Sequence, residues 1–110
     1  MFKVFNINKN EDFKSFYGSI EHILYPVFTN GKRRCKLYSC NAEIRECNGI
    51  LVLVSYATPI AVFAPDDGSL YDCLRVVYGY TATSSQHIYK FKKWLAENNY
   101  PVQQFVRFTN

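Results

Sequence analysis

The sequence predicts an α+β fold: a small antiparallel sheet, with a three-stranded central meander and further edge strands, packed by an N-terminal and a C-terminal helix. An unbroken aliphatic run over residues 50–56 is typical of a strand that is covered on both faces. Apolar residues recur at three- and four-residue spacing over 13–24 and 88–95, which is the period of a helix face. With 110 residues and no linker-like stretch, the chain is expected to form one domain, 1–110.

The central meander follows from three apolar segments that are separated by short breaks. Strands are predicted over 50–56, 60–64 and 70–78. Pro59 has no amide hydrogen and therefore belongs at the start or the edge of a strand. The turn after the second strand contains Gly68, which adopts a positive φ at low cost. Connections this short place neighbouring strands antiparallel.

Weaker patterns flank the meander. Alternation of apolar and polar residues predicts strands over 2–7 and 102–108. Two short strands are predicted over 35–39 and 42–46, although the second segment also fits one turn of helix. A turn with an Asn-Gly dipeptide is expected over 29–33.

The C-terminal helix is predicted to begin at a capping box over 83–86. The Thr83 hydroxyl would accept from an amide of the first turn, while Gln86 reaches back to the cap. His87 follows, where the helix dipole disfavours its charged form. We expect His87 to be a neutral hydrogen-bonding residue that joins the helix start to the sheet, with a catalytic base or ligand contact as the alternative. The Asn-Asn dipeptide at 98–99 suits the left-handed residue at a helix end.

The aromatic content predicts a contact face. The chain contains 9 Tyr, 9 Phe and 1 Trp, which together are 17% of its residues. One small core does not hold all these rings, so several are expected at the surface, where Tyr suits interfaces. The net charge of +4 favours nucleic acid or an acidic partner and argues against a protein that mimics DNA by its own acidity.

The same sequence predicts a cytoplasmic protein without metal or cofactor. No apolar run approaches the length of a membrane span, and the N-terminus lacks the apolar region of a signal peptide. In a reducing compartment the cysteines are expected to be free thiols in or beside strands. Their spacing fits no Cys-x-x-Cys zinc knuckle. These cysteines are Cys35, Cys40, Cys47 and Cys73.

Two segments resemble a known family. Residues 55–61 read Ser-Tyr-Ala-Thr-Pro-Ile-Ala, and residues 80–88 read Tyr-Thr-Ala-Thr-Ser-Ser-Gln-His-Ile. They resemble the Ser-Tyr-x-Thr-Pro-(Val/Ile)-Ala strand pair and the Tyr-Ser-x-Thr-Thr-Ser-(Lys/Arg)-His helix entry of a small family of phage and mobile-element proteins. Gln86 stands where the family has a basic residue, which argues against a phosphate grip at this helix entry. The resemblance covers 55–95 and implies a phage origin and a role in blocking a host or defence machine.

Catalytic groups are sparse, and no catalytic residue is predicted. The serines at 84–85 with His87 suggest a nucleophile and base, but residues two apart on a helix do not face each other. A metal-free ribonuclease would use His22 and His87 as its base and acid, and nothing in their spacing brings them together. The acidic pair at 66–67 is more typical of a turn than of a magnesium site.

Basic residues gather in two groups, one at the turn near residue 33 and one on the last helix. Arginine forks clamp phosphates or carboxylates, and an exposed tyrosine stacks on a base or packs into a partner. Both groups also fit a plain solvated turn and a solvated helix face. The candidate partner- or nucleic-acid-binding residues are Lys32, Arg33, Arg34, Lys36, Tyr38, Lys90 and Lys93.

The sequence therefore favours a binding protein over an enzyme. The first hypothesis is a phage-type accessory protein that binds and inhibits a host nucleic-acid machine by occlusion, as anti-CRISPR proteins do. The alternatives are a stand-alone nucleic-acid-binding module and the small metal-free ribonuclease. Pairing of two copies through strand edges, as a twofold homodimer, is also open.

Overall fold

The computed structural model describes residues 2–6, 31–38, 40–47, 49–66, 68–77 and 81–109. Their strands form one seven-stranded sheet, and a helix of 16 residues packs against it. The α+β class is as predicted, whereas the predicted first helix over 13–24 lies outside the described residues. The elements in chain order are β1 (Phe2–Asn6), β2 (Lys32–Lys36), β3 (Ala42–Cys47), β4 (Ile50–Ser55), β5 (Thr58–Ala64), β6 (Ser69–Asp72), α1 (Leu74–Val77), α2 (Ala82–Glu97) and β7 (Gln104–Thr109).

The predicted central meander is present as β4, β5 and β6, each antiparallel to the next. Its third strand is shorter than the predicted 70–78, because β6 ends at Asp72 and α1 follows. The Asp72 carboxylate accepts a hydrogen bond of 3.1 Å from the backbone amide of Leu74. A side-chain oxygen that accepts from an amide two residues on caps a helix, so Asp72 converts the strand into a helical turn.

The sheet is larger than predicted, and it is not wholly antiparallel. Its strand order is β1-β7-β6-β5-β4-β3-β2, with β7 parallel to both of its neighbours. The rule that neighbours run antiparallel applies to short connections, but α2 supplies a long crossover between β6 and β7. The first and last strands, β1 and β7, thus extend the sheet beyond the meander.

Strands β2 and β3 correct two of the local predictions. Residues 42–46 belong to a strand, so the helical alternative for this segment is wrong. β2 spans Lys32–Lys36 rather than 35–39, and it begins inside the predicted turn. The pairing of β2 with β3 begins at Lys32, which lies opposite Glu46. The start of β2 therefore depends on its partner strand and does not follow from the sequence of β2 alone. Arg34 is an extra residue in this pairing, a β-bulge.

The N-cap of helix α2 lies two residues before the predicted one. Thr81 has an extended backbone (φ −133°, ψ 148°), and its hydroxyl accepts a hydrogen bond of 3.2 Å from the amide of Ser84. Thr83 lies in the first turn and Gln86 is exposed, so the predicted cap at Thr83 is wrong. The earlier start places Ser84 on the buried face of the helix, in line with the apolar stripe over 88–95.

The end of α2 agrees with the prediction from its Asn-Asn dipeptide. Asn99 has a φ of 64°, and the amide of Tyr100 donates to the carbonyl of Leu95 at 2.8 Å, as in a Schellman motif. The Tyr100 ring then stacks on Trp94, with 6.1 Å between ring centroids. These contacts end the helix and direct the chain toward β7.

Both faces of the central strands β4 and β5 are buried, as the aliphatic run over 50–56 predicts. Helix α2 contacts β4 and β5 and contributes Ile88, Phe91, Trp94 and Leu95 to the main core. The sheet side of that core contains Leu37, Ile44, Leu51, Leu53, Ile60, Phe63 and Leu70. On the opposite face of the sheet, the buried residues include Val52, Val54, Val62, Val106 and Phe108.

Two glycines with a positive φ differ in their surroundings and provide a matched test of the fold. Gly68 has a φ of +71°, and a Cβ there would lie 2.6 Å from Cγ of Gln103 and 2.9 Å from the carbonyl oxygen of Pro101. Gly49 has a φ of +80° with open space around it. We expect Gly49→Ala to lower the free energy of unfolding by about 1 kcal/mol, which is the cost of the left-handed backbone. We expect Gly68→Ala to lower it by roughly 3 kcal/mol or more, since it adds a backbone clash.

Urea denaturation of the two variants beside the wild type measures both values. Equal destabilisation by the two substitutions would contradict the close packing of the segment before β7 against Gly68.

Candidate functional site

Three buried polar side chains meet where the start of α2 contacts the end of β4. The Ser55 hydroxyl lies 2.7 Å from Nδ1 of His87 and 3.2 Å from the hydroxyl of Ser84. Ser55 is only 2% exposed, and Ser84 and His87 are also buried. No buried side-chain nitrogen or oxygen in the described part of the chain lacks a hydrogen-bond partner. The cluster is therefore a satisfied polar contact inside the core.

Local structure explains why these side chains meet. Ser55 is the last residue of β4 and pairs with Ala42, so it faces the same side of the sheet as Leu53. Ser84 and His87 are three residues apart, which places both on one face of α2. The cap at Thr81 sets the start of the helix and hence this face. The two segments on which the family resemblance rests thus come together at one place.

His87 is held in its neutral form. Burial lowers the pKa of His87, and the nearby positive charge of Lys90 lowers it further. The ring of Tyr56 covers it from outside, with 5.8 Å between ring centroids and an angle of 44° between the planes. A neutral imidazole accepts or donates at Nδ1 according to its tautomer, and the Ser55 hydroxyl fits either role.

A serine beside a histidine has the parts of an activated nucleophile. The Ser55 oxygen is enclosed, however, and its hydroxyl already contacts both Ser84 and His87, so a substrate does not reach it in this arrangement. The contact joins helix to sheet, which is the role expected of His87. Ser55 was not predicted as the partner of His87, although a polar residue that ends a buried aliphatic strand is a signal for such a contact. His22 lies outside the described residues.

The predicted arginine clamp is not supported by the position of Arg34. Its guanidinium donates to the Tyr100 hydroxyl at 2.9 Å and to the Glu46 carboxylate at 3.0 Å. It also lies over the rings of Trp94 and Tyr100, 5.7 and 5.4 Å from their centroids. The hydrogen bond to Tyr100 is the main reason that the pKa of Arg34 is raised. Arg34 therefore binds within the chain and braces β2 against the end of α2.

The other arginines with described side chains are also paired with carboxylates. Arg45 contacts Glu43 at 3.1 Å. Asp72, which is buried, accepts from Nε of Arg107 at 3.0 Å and lies 3.6 Å from Arg75. Arg33 is a backbone partner of Arg45 in the sheet. Each guanidinium group that the structure describes thus contacts a carboxylate of the same chain and stabilises the fold.

The lysines behave differently from the arginines. In the described ranges, none of the lysine side chains forms an ion pair with a carboxylate. Lys93 lies over the ring of Tyr38, with 5.8 Å from Nζ to the centroid, and Lys92 lies over Phe105 at 5.5 Å on the other flank of α2. Among the side chains that the structure describes, the positive charges without a carboxylate partner therefore belong to Lys32, Lys36, Lys90, Lys92 and Lys93.

Two exposed tyrosines occupy left-handed backbone positions in adjacent turns. Tyr56 has a φ of 57° and is 62% exposed, and Tyr38 has a φ of 53° and is 42% exposed. The turns are neighbours, because the amide of Tyr56 donates to the carbonyl of Asn41 at 2.7 Å. A left-handed conformation costs a residue with a side chain roughly 1–2 kcal/mol. Glycine or asparagine usually occupies such positions, so these tyrosines are unusual.

Tyr38 is fixed at its hydroxyl end by a hydrogen bond to the carboxylate of Glu97. This bond is the main cause that raises the pKa of Tyr38 to about 12. Tyr38 and Tyr56 therefore contact the same flank of α2, one through Lys93 and Glu97 and the other through His87. We call the residues Tyr38, Tyr56, Lys90 and Lys93 the Tyr–Lys surface.

The cysteines and acidic residues suggest no further site within the described ranges. Cys35 and Cys40 are half-buried and Cys73 is buried, all as free thiols. Burial, followed by the charge of Asp72, raises the pKa of Cys73. No group of three or more His, Cys, Asp or Glu in this part of the chain is arranged to hold a metal ion. Neither helix described is long and apolar enough to cross a membrane.

Residues 27–107 match the model of a family of unknown function, DUF8033, and the chain belongs to that family. No curated protein and no solved structure matches the chain. The matched range includes β2 to α2 and with them the Tyr–Lys surface and the Ser55–His87 contact. The description of the family names no activity, so the function is argued from the geometry.

The neutral state of His87 predicts that acidification weakens the fold. Its pKa is lower in the folded than in the unfolded chain, so the unfolded chain binds more protons as the pH falls below the ordinary value near 6.5. The free energy of unfolding should therefore be highest above that pH and decrease between pH 7 and pH 5. His87→Asn retains an acceptor for Ser55 but does not titrate, so its stability should fall less over this range.

Urea denaturation of both proteins at several pH values measures the difference. Parallel stability profiles for the wild type and His87→Asn would show that His87 is not held neutral in the fold.

Proposed function

We propose that this member of the family is a phage-type accessory protein that binds a host nucleic-acid machine and inhibits it by occlusion. In this proposal it acts in the cytoplasm as a counter-defence factor, in the manner of anti-CRISPR proteins, without a cofactor. The resemblance of residues 55–61 and 80–88 to phage and mobile-element proteins motivates the biological setting. The surface chemistry of the fold supports a binding role.

One observation supports the proposal above all: basic residues of α2 and exposed tyrosines lie side by side in the fold. Lys93 of α2 lies over Tyr38, which is two residues beyond the end of β2. The arginines whose side chains the structure describes are paired within the chain, whereas the lysines and exposed tyrosines beside α2 are available to a partner. Positive charge attracts the acidic or phosphate-bearing surfaces of nucleic-acid machines, and exposed tyrosine supplies apolar contact area.

The main alternative is a stand-alone nucleic-acid-binding module, which the same lysines favour. It differs from the first proposal in one testable respect, because it requires no host protein. Unpaired lysines make phosphate contacts as point charges, and such binding weakens steeply with salt. Binding of the purified protein to nucleic acid alone therefore tests the nucleic-acid-binding alternative. Relief of a host defence tests the proposal of an inhibitor.

A charge-reversal pair tests the proposed inhibition. Lys90→Glu/Lys93→Glu should abolish it, since repulsion replaces attraction at the contact surface. Lys92→Glu is the matched control, because Lys92 has the same charge and lies on the same helix but over Phe105 on the other flank. We expect wild-type protein, expressed in bacterial strains that each have one nuclease-based defence system, to restore phage plating in at least one strain.

The double variant should reduce that restored plating by tenfold or more, and the control should retain it. Absence of restored plating throughout the strain panel would contradict the counter-defence role, as would equal loss in both variants. Circular dichroism spectra of the purified variants check that each is folded.

A further inference from the structure

We infer that the Tyr–Lys surface is a platform for single-stranded nucleic acid, with bases stacked on Tyr56 and Tyr38 and phosphates facing Lys90 and Lys93. This inference rests on the proposed function, because it uses the same contact surface. It adds that the part of the host machine in contact with the surface is its single-stranded nucleic acid. The inference depends on three features of the surface: backbone strain, rigid mounting of the rings, and unpaired positive charge between them.

Backbone strain is the first feature. Tyr56 is the first residue of a two-residue turn, since Ser55 pairs with Thr58 across it. A turn of this kind needs a positive φ that glycine provides most cheaply. Tyr38 also has a positive φ, in the turn before β3. Strain retained at two aromatic residues in adjacent turns indicates that the rings have a role that the turns alone do not require.

Rigid mounting is the second feature. The Tyr56 ring contacts the ring of His87, which the buried Ser55 hydroxyl holds in place. The Tyr38 ring is held by Glu97 at its hydroxyl and by Lys93 at one face. Rings held in position before a ligand arrives lose little conformational entropy when it binds. The strained turns and the polar contact beneath them thus act together to present two rings.

Charge and spacing are the third feature. His87 and Lys93, which contact the two rings, are six residues apart on α2, or about 9 Å along the helix axis. That distance corresponds to about three nucleotides at the 3.4 Å rise of a stacked strand. Lys90 lies between them, on the same flank, and no described carboxylate neutralises it. Glu97, the acidic residue of α2, accepts the hydrogen bond from Tyr38 at the C-terminal end of the helix.

This chemistry favours a single strand over other occupants. Stacking requires free base faces, which a duplex keeps inside its own stack, whereas single strands offer them in any sequence. An acidic protein surface would be bound best by arginine forks. The arginines with described side chains all bind inside the chain, so the surface offers lysines and rings instead.

Fluorescence anisotropy with labelled oligonucleotides tests the inference on the full chain. The probes are a 12-residue deoxythymidine strand, a 12-residue uridine strand and a duplex of equal length, each at low salt. Tyr56→Gly is the informative variant, because it removes the ring and relieves the turn, so it should fold at least as well as the wild type. Tyr89→Ala is the control, since Tyr89 is an equally accessible tyrosine (74% exposed) on α2 that lies in neither strained turn.

We expect both single strands to bind and the duplex to bind more weakly. Tyr56→Gly should weaken single-strand binding about tenfold, as expected for the loss of one stacked base, and Tyr89→Ala should change it less than twofold. Lys93→Glu should make the dependence of log affinity on log salt shallower by roughly 0.7. Urea denaturation confirms that Tyr56→Gly is folded.

The inference is overturned if single strands do not bind at low salt, if the duplex binds as well, or if Tyr56→Gly and Tyr89→Ala have equal effects. Restored phage plating that depends on Lys90 and Lys93 without strand binding would leave the proposed function standing, with an acidic protein surface as the occupant. Strand binding that depends on Tyr56, without restored plating in any strain, would remove the proposed function and support the inference.

Discussion

The contact between Ser55 and His87 fixes the relation of α2 to the sheet on which the rest of the surface depends. Apolar burial alone brings an amphipathic helix to a sheet but specifies its rotation weakly, since neighbouring residues of similar size exchange places at low cost. A buried hydroxyl and a buried imidazole need hydrogen-bond partners, because an unsatisfied polar group in the core costs about 1–3 kcal/mol. That requirement determines which flank of α2 faces Tyr56 and Tyr38.

The described arginines and lysines have different surroundings in the fold. Arginine is planar and offers several donors, which suits a contact with several partners at once, such as that of Arg34 with Trp94, Tyr100 and Glu46. Lysine is strongly hydrated and remains at the surface, where its charge is free to attract an anion. Among the described side chains, the cations without a carboxylate partner are therefore lysines, and Arg34 has a role in packing that its place in a basic run does not reveal.

Sequence patterns succeeded where a local signal is sufficient. The aliphatic run of β4, the turn at Gly68 and the left-handed Asn99 each follow from residues that are adjacent in the chain. The errors occur where a distant residue decides the outcome. Thr83 and Thr81 are equally good caps in isolation, and the core position of Ser84 selects Thr81. The strand after Gly68 ends early because Asp72 caps α1 and pairs with Arg107, a residue 35 positions away.

By itself, the sequence determined the α+β class, the central meander and the presence of a helix with a neutral histidine near its start. It also indicated an aromatic and basic contact face. Only the tertiary structure decided which aromatic and basic side chains are exposed and unpaired, because exposure and ion pairing depend on neighbours that are remote in sequence. Arg34 is bound by Tyr100 and Glu46. Tyr56 is exposed in a turn, and its positive φ does not follow from the sequence of that turn. A one-dimensional pattern reports the period of a segment, and the packing of segments against one another sets which side chains remain free to bind.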